Sequence, residues 1–419
     1  MHEPFLELDG ALVRIRVPGG LLPVDAARAI ARAVAMVNAG AIEITNRANL
    51  QLRGVPSSLV GDVGDALTAA GVARPDPAAD ERRNVLASPM AGVDPTELVD
   101  TRELVTAIDE LLASDSSAGL APKFGVVVDG GGAVHTRGRA LDVAVGALQL
   151  EDGTVRYDVR LGEALPLAYD RDDALHICEP DAVLRVIAAT IETCRPFGRA
   201  RPLLDAWGRT RAWNEICDRA PGVLVTTAPP ATAHAWPGPS APVVGVHPQR
   251  QPGLVAVGAG ARLGRLDATT LLAAAELADG ALRISPARAL IVTDVPEADA
   301  SAVVAELDAL GLVTDPDHPA NAVVACVGSR GCASGFVDTL ADADQLIDAL
   351  AALPVQSRPE SVHVSGCEKG CAHPGLTEWT LVGGPERDTY TARRDDAEIA
   401  RGVRGTSAIA LVTDGTVRR

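Results

Sequence analysis

Four cysteines fall into two spaced pairs, Cys326-x5-Cys332 and Cys367-x3-Cys371, each set among glycines. The stretches read Cys326-Val-Gly-Ser-Arg-Gly-Cys332 and Gly366-Cys367-Glu-Lys-Gly-Cys371. Four thiolates from two loops make the donor set of a [4Fe–4S] cube, and glycine lets the backbone wrap closely around it. Structural zinc usually draws on C-x2–4-C knuckles, a poorer match to this pair of spacings. A disulfide reading needs an oxidising compartment, and the sequence carries no sign of one. Zinc and plain buried thiols remain the competing readings. Cys178, Cys194 and Cys217 are scattered and read as buried free thiols. The odd total of seven fits a reducing compartment.

Other titratable groups stand near these motifs. The chain has only two lysines, Lys123 and Lys369, and both lie in glycine-rich stretches. A compact ammonium is not interchangeable with the guanidinium that carries nearly all other positive charge here. His135, His363 and His373 lie near motif positions and read first as satisfied or surface histidines. His373, two residues after Cys371, is the candidate for a proton donor or metal ligand.

A formal charge of −17 argues against a nucleic-acid or anionic-membrane partner. Cations for an anionic ligand must therefore be gathered locally. The first residues, Met1-His-Glu-Pro-Phe-Leu-Glu, have neither a basic nor an apolar targeting segment. No stretch approaches the roughly 20 apolar residues of a spanning helix. The expectation is a soluble, cytoplasmic protein. At 419 residues, several domains are expected rather than one core.

The elements that position these residues come as a tandem repeat. Residues 41–55 align without gaps to 281–295, each as strand, turn and strand. A helix precedes each, with Asp25 and Asp267 as candidate N-caps. A second helix follows each, 57–70 and 298–310, ending at Gly71 and Gly311. Residues 83–88 then match 321–326, the helix 101–113 matches 339–352, and the strand and turn 125–132 match 361–368. Each copy ends in a strand-rich stretch, 140–161 and 376–392. The cysteines occur only in the second copy; Ser88 and glycines stand at corresponding places in the first. Between the copies lie an Arg/Trp-bearing helix, 203–218, and a Pro/Ala-rich connector read as extended and exposed. The expected units are 1–76, 77–220, the connector 221–246, 247–316 and 317–419.

This order of motifs resembles the sulfite/nitrite reductase superfamily, over nearly the whole chain. The resemblance implies an α+β fold: a tandem pseudo-twofold repeat with a composite ferredoxin-like half-domain pair and two α/β lobes. It implies a [4Fe–4S] cluster on Cys326, Cys332, Cys367 and Cys371, with Cys371 at the position that bridges to a siroheme iron. Arg14-Ile-Arg16-Val-Pro-Gly-Gly20 is similar to the family's R-x-R-x-P-G-G strand. Thr45-Asn-Arg47-Ala-Asn-Leu-Gln51-Leu-Arg53-Gly is similar to its tetrapyrrole-binding segment. Arg83-Asn84 and Lys123-Phe124 match further family pairs. These residues, Arg14, Arg16, Thr45, Arg47, Gln51, Arg53, Arg83 and Lys123, are the expected substrate-binding set. The chemistry agrees, since a multi-carboxylate tetrapyrrole needs several cations on converging loops. Strand alternation puts Arg14 and Arg16 on one face, and Gln51 and Arg53 likewise.

The chain departs from the reductase pattern at three cation positions, which here hold Glu43, Pro122 and Gly125. Part of the cage for a small anion is thereby lost. The segments 122–132 and 364–375 resemble the precorrin-3B synthase branch of the superfamily. That branch implies oxygen-dependent hydroxylation of precorrin-3A at C20, with lactone formation, in aerobic cobalamin biosynthesis. Dioxygen and an external electron donor, a ferredoxin or an NAD(P)H-dependent reductase, are the implied partners. A further mononuclear iron is an open expectation with no ligands named. The alternatives are a siroheme-dependent sulfite or nitrite reductase and a non-catalytic metal–cysteine structural or sensor protein. Val257-Gly258-Ala-Gly260-Ala-Arg-Leu-Gly264 imitates a dinucleotide loop, but the repeat sets it opposite 14–23, as a strand and its following turn.

Overall fold

The computed structural model describes residues 5–37, 41–170, 174–229, 238–373, 375–384 and 386–417. Four mixed or antiparallel sheets form the frame, two in the half-domains and two in the lobes. In the first half-domain, the strand Gly10–Ile15 turns Ala11, Val13 and Ile15 inward by simple alternation. It pairs with Leu50–Val55, which pairs with Ala41–Ile44. The helix Val24–Val37 covers their apolar face through Ala27, Ile30, Ala31, Val34 and Val37, the spacing of one helical stripe.

The second half-domain repeats this plan. The strand Leu254–Gly260 pairs with Ala289–Pro296, which pairs with Ala281–Ile284. The helix Ala268–Glu276 corresponds to Val24–Val37, and the two helices pack together. Backbone detail repeats as well. Ala48 and Arg288 occupy equivalent turns at φ 55° and 61°, and Gly54 and Asp294 equivalent bulges at φ 73° and 62°.

Each half-domain completes the other's sheet. Leu21–Pro23 of the first copy pairs with Ala281–Ile284 of the second. Arg265–Leu266 of the second pairs with Ala41–Ile44 of the first. The result is one core, in which Ile15, Ile30 and Leu52 share a cluster with Leu271, Ile284 and Leu290.

The lobes are also copies. In the first, Val85–Ala87, Val126–Asp129 and Val143–Gln149 run parallel, Val155–Leu161 returns antiparallel, and Leu175–Cys178 pairs antiparallel to it. In the second, Val323–Ala325, Val362–Ser365 and Trp379–Gly383 run parallel, then Thr389–Arg394 and Ala397–Arg404 return. Each lobe has its own core.

Asp267 caps its helix by accepting from the Thr270 N–H, and Gly71 and Gly311 follow their helices at φ 70° and 78°. Asp25 lies instead within the first turn of its helix, where its charge favours the positive end of the dipole. The expected helix 203–218 is two helices, Ala200–Trp207 and Arg209–Arg219, because Gly208 breaks the run at φ 74°. Within the connector, Val225–Thr227 is extended and largely exposed, as an edge strand against Leu175–Cys178. The connector's Trp236-Pro segment lies mostly outside the described residues. The strand Ala397–Arg404 and helix Gly405–Val417 complete the second lobe beyond the stretch read as strand-rich. The glycine-rich segment 257–264 is strand, short turn and a strand paired to Glu43 and Ile42, so it does not open a helix as a dinucleotide loop does.

Candidate functional site

The cysteines sit on loops that leave the C-terminal ends of two adjacent parallel strands. Cys326 follows Val323–Ala325, and Cys367 follows Val362–Ser365. None of the four is in a disulfide. Cys371 has its thiol pushed up by burial first and then by Cys326, Cys367 and Cys332, so the four sulfurs share one neighbourhood. The loops are drawn tight. The Gly366 N–H donates to Cys326 Sγ at 3.2 Å, and the Phe336 N–H to the Gly366 carbonyl at 2.9 Å. A Cβ on Gly335 would lie 2.4 Å from the Gly328 carbonyl carbon, so glycine is required there for the loops to meet. Four thiols, a backbone N–H aimed at sulfur, and close-packed glycines suit a [4Fe–4S] cube. Such a cluster, when bound, passes single electrons.

The first lobe shows what the same loops do without cysteines. By strand register, Ser88, Asp94, Gly131 and His135 stand where Cys326, Cys332, Cys367 and Cys371 do. Ser88 Oγ donates to the Val134 carbonyl at 2.5 Å, and Asp94 Oδ2 accepts from the Val134 N–H at 3.2 Å. Side chains staple the two loops directly. Asp129, fully buried, pairs with Arg137 at 3.1 Å and closes the same turn. His135 Nε2 bonds the Gly238 carbonyl at 3.0 Å, while its buried Nδ1 has no partner among the described residues.

The expected ligand-binding residues lie mostly on the polar face of the first half-domain sheet. Register places Arg14 opposite Gln51, Gln51 opposite Glu43, and Glu43 opposite Arg265, one row across four strands. Glu43 accepts from Gln51 Nε2 at 2.5 Å and from Arg265 at 2.5 Å. Arg16 Nη1 donates to Asn84 Oδ1 at 2.6 Å; burial and the charges of Arg14 and Arg47 hold its guanidinium down at about 10, against the pull of Asp80 and Glu81. Arg47 is likewise lowered by burial, by Arg199 and by Arg14, and donates to the Lys123 carbonyl at 3.2 Å. Arg14, Arg16, Arg47 and Lys123 are thus brought together.

Other members of the set have internal partners. Thr45 Oγ1 accepts from the Asn49 and Arg47 N–H groups and shapes the turn that presents Arg47. Arg53 is buried against Asp9 at 3.0 Å and donates to Gly331 in the first cysteine loop. Arg83 is 7 % exposed; it chelates Asp109 and reaches Asp80 at 3.0 Å. Arg83 and Arg53 are held by protein carboxylates.

Two arginines outside the motifs stand beside this set and the second cysteine loop. Burial lowers both Arg139 and Arg288, the latter to about 10 with Arg139 as the next cause. Arg288 donates to the Ala372 carbonyl, beside Cys371, at 2.6 Å. The signal for Arg288 was present in the repeat, which aligns it with Ala48, next to Arg47. His363 and His373 lie close, with ring centroids 6.1 Å apart. Burial pushes His363 down to about 4 and lowers His373 as well. Among the described residues no three His, Cys, Asp or Glu side chains converge on a single-metal site. A cavity of about 300 Å³ adjoins the second cysteine loop, lined by His363, Cys367, Lys369, His373 and Arg393. A separate one of about 360 Å³, lined by Arg16, Leu22, Arg83, Val105 and Arg283, holds no cysteine.

Family comparison agrees with this architecture. The nitrite/sulfite reductase ferredoxin-like half-domain matches twice, at residues 7–70 and 247–310, and the nitrite and sulphite reductase 4Fe-4S domain matches 78–215. The chain belongs to the nitrite/sulfite reductase family. The matched 4Fe-4S domain is the first lobe; the four cysteines lie in its second copy. An iron–sulfur cluster accords with both the family and the thiols.

Two similar curated relatives carry different activities at similar distance. A precorrin-3B synthase from Sinorhizobium sp. is 30% identical over 92% of this chain and 80% of its own. A ferredoxin–nitrite reductase from Synechococcus elongatus is 29% identical over 90% of this chain and 77% of its own. The solved structure of Mycobacterium tuberculosis NirA superposes with a TM-score of 0.75 over 98% of this chain and 81% of that one, at 21% identity, which supports the fold. No described helix is long and apolar enough to cross a membrane.

Proposed function

We propose that this oxidoreductase-family chain is a precorrin-3B synthase: an iron–sulfur monooxygenase that hydroxylates precorrin-3A at C20 and closes a lactone, consuming dioxygen and reductant. The observation that carries the reading is Glu43. Its carboxylate stands in the middle of the cation row, held by Gln51 and Arg265, where the reductase pattern has an arginine. Gly125 points the same way. Glycine leaves this position without the cation or amide of the reductase pattern, and a Cβ there would press on the Leu141 side chain at 2.9 Å and on Asn84 O at 3.3 Å. The cleft favours a large, multiply carboxylated ligand over a small oxyanion.

In this reading Arg14, Arg16, Arg47 and Lys123 contact substrate carboxylates. Thr45 positions Arg47, Arg53 ties the sheet to the first cysteine loop, and Arg83 fixes the Arg83-Asn84 segment beside Arg16. Cys326, Cys332, Cys367 and Cys371 hold the cluster, fed by an external ferredoxin or NAD(P)H-dependent reductase in the cytoplasm. His373 lines the cavity beside the second cysteine loop and stays the candidate proton donor.

The siroheme reductase reading rests on the nitrite reductase relatives. Cofactor content separates the two. Protein purified without air should contain iron and sulfide but no stoichiometric siroheme, and should bind precorrin-3A more tightly than sulfite or nitrite. A Soret band surviving gel filtration, with sulfite or nitrite reduction, would overturn the proposal.

A further inference from the structure

Arg139 and Arg288 are two cations beside the cysteine loops and the Arg47 turn in a chain of net charge −17. Neither has an ion-pair partner among the described residues. Each has one hydrogen bond, to a backbone carbonyl. Arg139 Nη1 donates to Asn46 at 3.4 Å, within the turn that presents Arg47. Arg288 Nη2 donates to Ala372 at 2.6 Å, within the second cysteine loop. Arg288 reaches that loop from a turn held by the Arg288 N–H to Ser285 and the Ser285 N–H to Ala289. This is the repeat counterpart of the turn from Thr45 to Asn49.

The backbone of Arg288 is left-handed, φ 61°, an uncommon conformation for a non-glycine residue. Its stem lies over Gly264, where a Cβ would stand 2.4 Å from Arg288 Cδ. A constrained backbone and a cleared path thus deliver one guanidinium to the cysteine loop. Burial lowers both arginines, and each neighbours His373, so the two share a desolvated region beside that loop. Both side chains are half-buried, Arg288 lies within reach of the Glu43 charge as well as that of Arg139, and an anionic group between the two cations relieves their mutual repulsion.

Resting on the tetrapyrrole reading above, we propose that Arg139 and Arg288 seat one carboxylate of the tetrapyrrole against the Cys367–Cys371 loop. Because Arg288 also holds that loop, ligand binding and the reduction potential of the cluster are then linked. Neutralising two cations near the cluster disfavours the added electron, so a bound polycarboxylate lowers the midpoint potential.

The test uses uroporphyrin, a tetrapyrrole bearing acetate and propionate groups, with the full-length, cluster-loaded protein. Affinity is read by quenching of porphyrin fluorescence and midpoint potential by spectroelectrochemistry. Arg139→Gln and Arg288→Gln should each weaken uroporphyrin binding about 10- to 100-fold, as expected for loss of one charge-assisted contact. Arg288→Lys should recover part of the loss. Arg201→Gln, at an exposed helix position, should bind as the wild type does. Uroporphyrin should lower the midpoint potential in the wild type and leave it unmoved in Arg288→Gln. Where Arg288→Gln loses iron and sulfide, Arg139→Gln, which does not touch the cysteine loop, carries the test by both readouts. Wild-type affinity in both Gln variants, or an unchanged ligand-induced shift, overturns the inference and leaves the tetrapyrrole reading standing. No uroporphyrin binding by the wild type, with sulfite bound, overturns both.

Discussion

At the residue scale, some of the motif charges hold the frame of the protein itself. Arg83 is the sharpest case, since its motif suggests a ligand cation while the structure buries it between Asp109 and Asp80. Removing one partner of a buried pair costs about 3–5 kcal/mol because it strands the other charge. Arg74 also reaches Asp109, which puts the loss near the low end. Arg83→Ala should therefore lower the urea midpoint by the equivalent of about 3 kcal/mol. Unchanged stability with weakened tetrapyrrole binding would return Arg83 to the ligand. For the cysteines the expectation is categorical. Serine at Cys326, Cys332, Cys367 or Cys371 should abolish the broad iron–sulfur absorption, while serine at Cys178, Cys194 or Cys217 should leave iron and sulfide content intact. The motifs made these thiols legible because their spacing is local. The partners of Arg53 and Arg83 were not legible, since Asp9 and Asp109 come from other elements and only tertiary packing brings them near.

At the element scale, the two lobes solve one loop-closure problem in two ways. The second lobe leaves its thiols for a cluster. The first uses Ser88, Asp94 and the Asp129–Arg137 pair, with Glu97 beside them accepting from the Gly92 N–H at 2.6 Å. Burial raises Glu97 from 4.5 to about 7. Between those values the folded protein keeps a proton that the unfolded chain releases. Stability therefore falls as pH rises through this window and is level above it. Glu97→Gln should remove that segment of the pH dependence and be more stable than the wild type above pH 7. Urea midpoints from pH 4.5 to 8 check this, and parallel curves for the two proteins would refute it. Helix ends were readable from single residues such as Asp267, Gly71 and Gly311. The break at Gly208 was not, because the apolar and aromatic pattern continues across it.

At the scale of the whole molecule, duplication was plain in the sequence and its consequence was not. Leu21–Pro23 and Arg265–Leu266 are too short to read as strands, yet they join each half-domain to the other's sheet. No local pattern encodes a pairing across some 240 residues. Since the half-domains share one core, neither half-domain should fold alone. Residues 1–76 expressed separately should lack a cooperative unfolding transition, and co-expression with 77–419 should restore one. Independent cooperative folding of the first piece would show the exchanged strands to be incidental. The cleft itself is an assembly product: Arg47 and Lys123 come from the first repeat, Arg288 and the cysteines from the second.

The central claim is that this cleft presents a multi-carboxylate tetrapyrrole to the cysteine-held cluster as substrate. Precorrin-3A, reductant and isotopically labelled dioxygen, added to protein purified without air, test it most directly. The account predicts a product carrying one atom from dioxygen at C20 and a closed lactone, seen by mass spectrometry, and none from the Cys371→Ser protein. Unchanged precorrin-3A beside brisk reduction of nitrite or sulfite would contradict it.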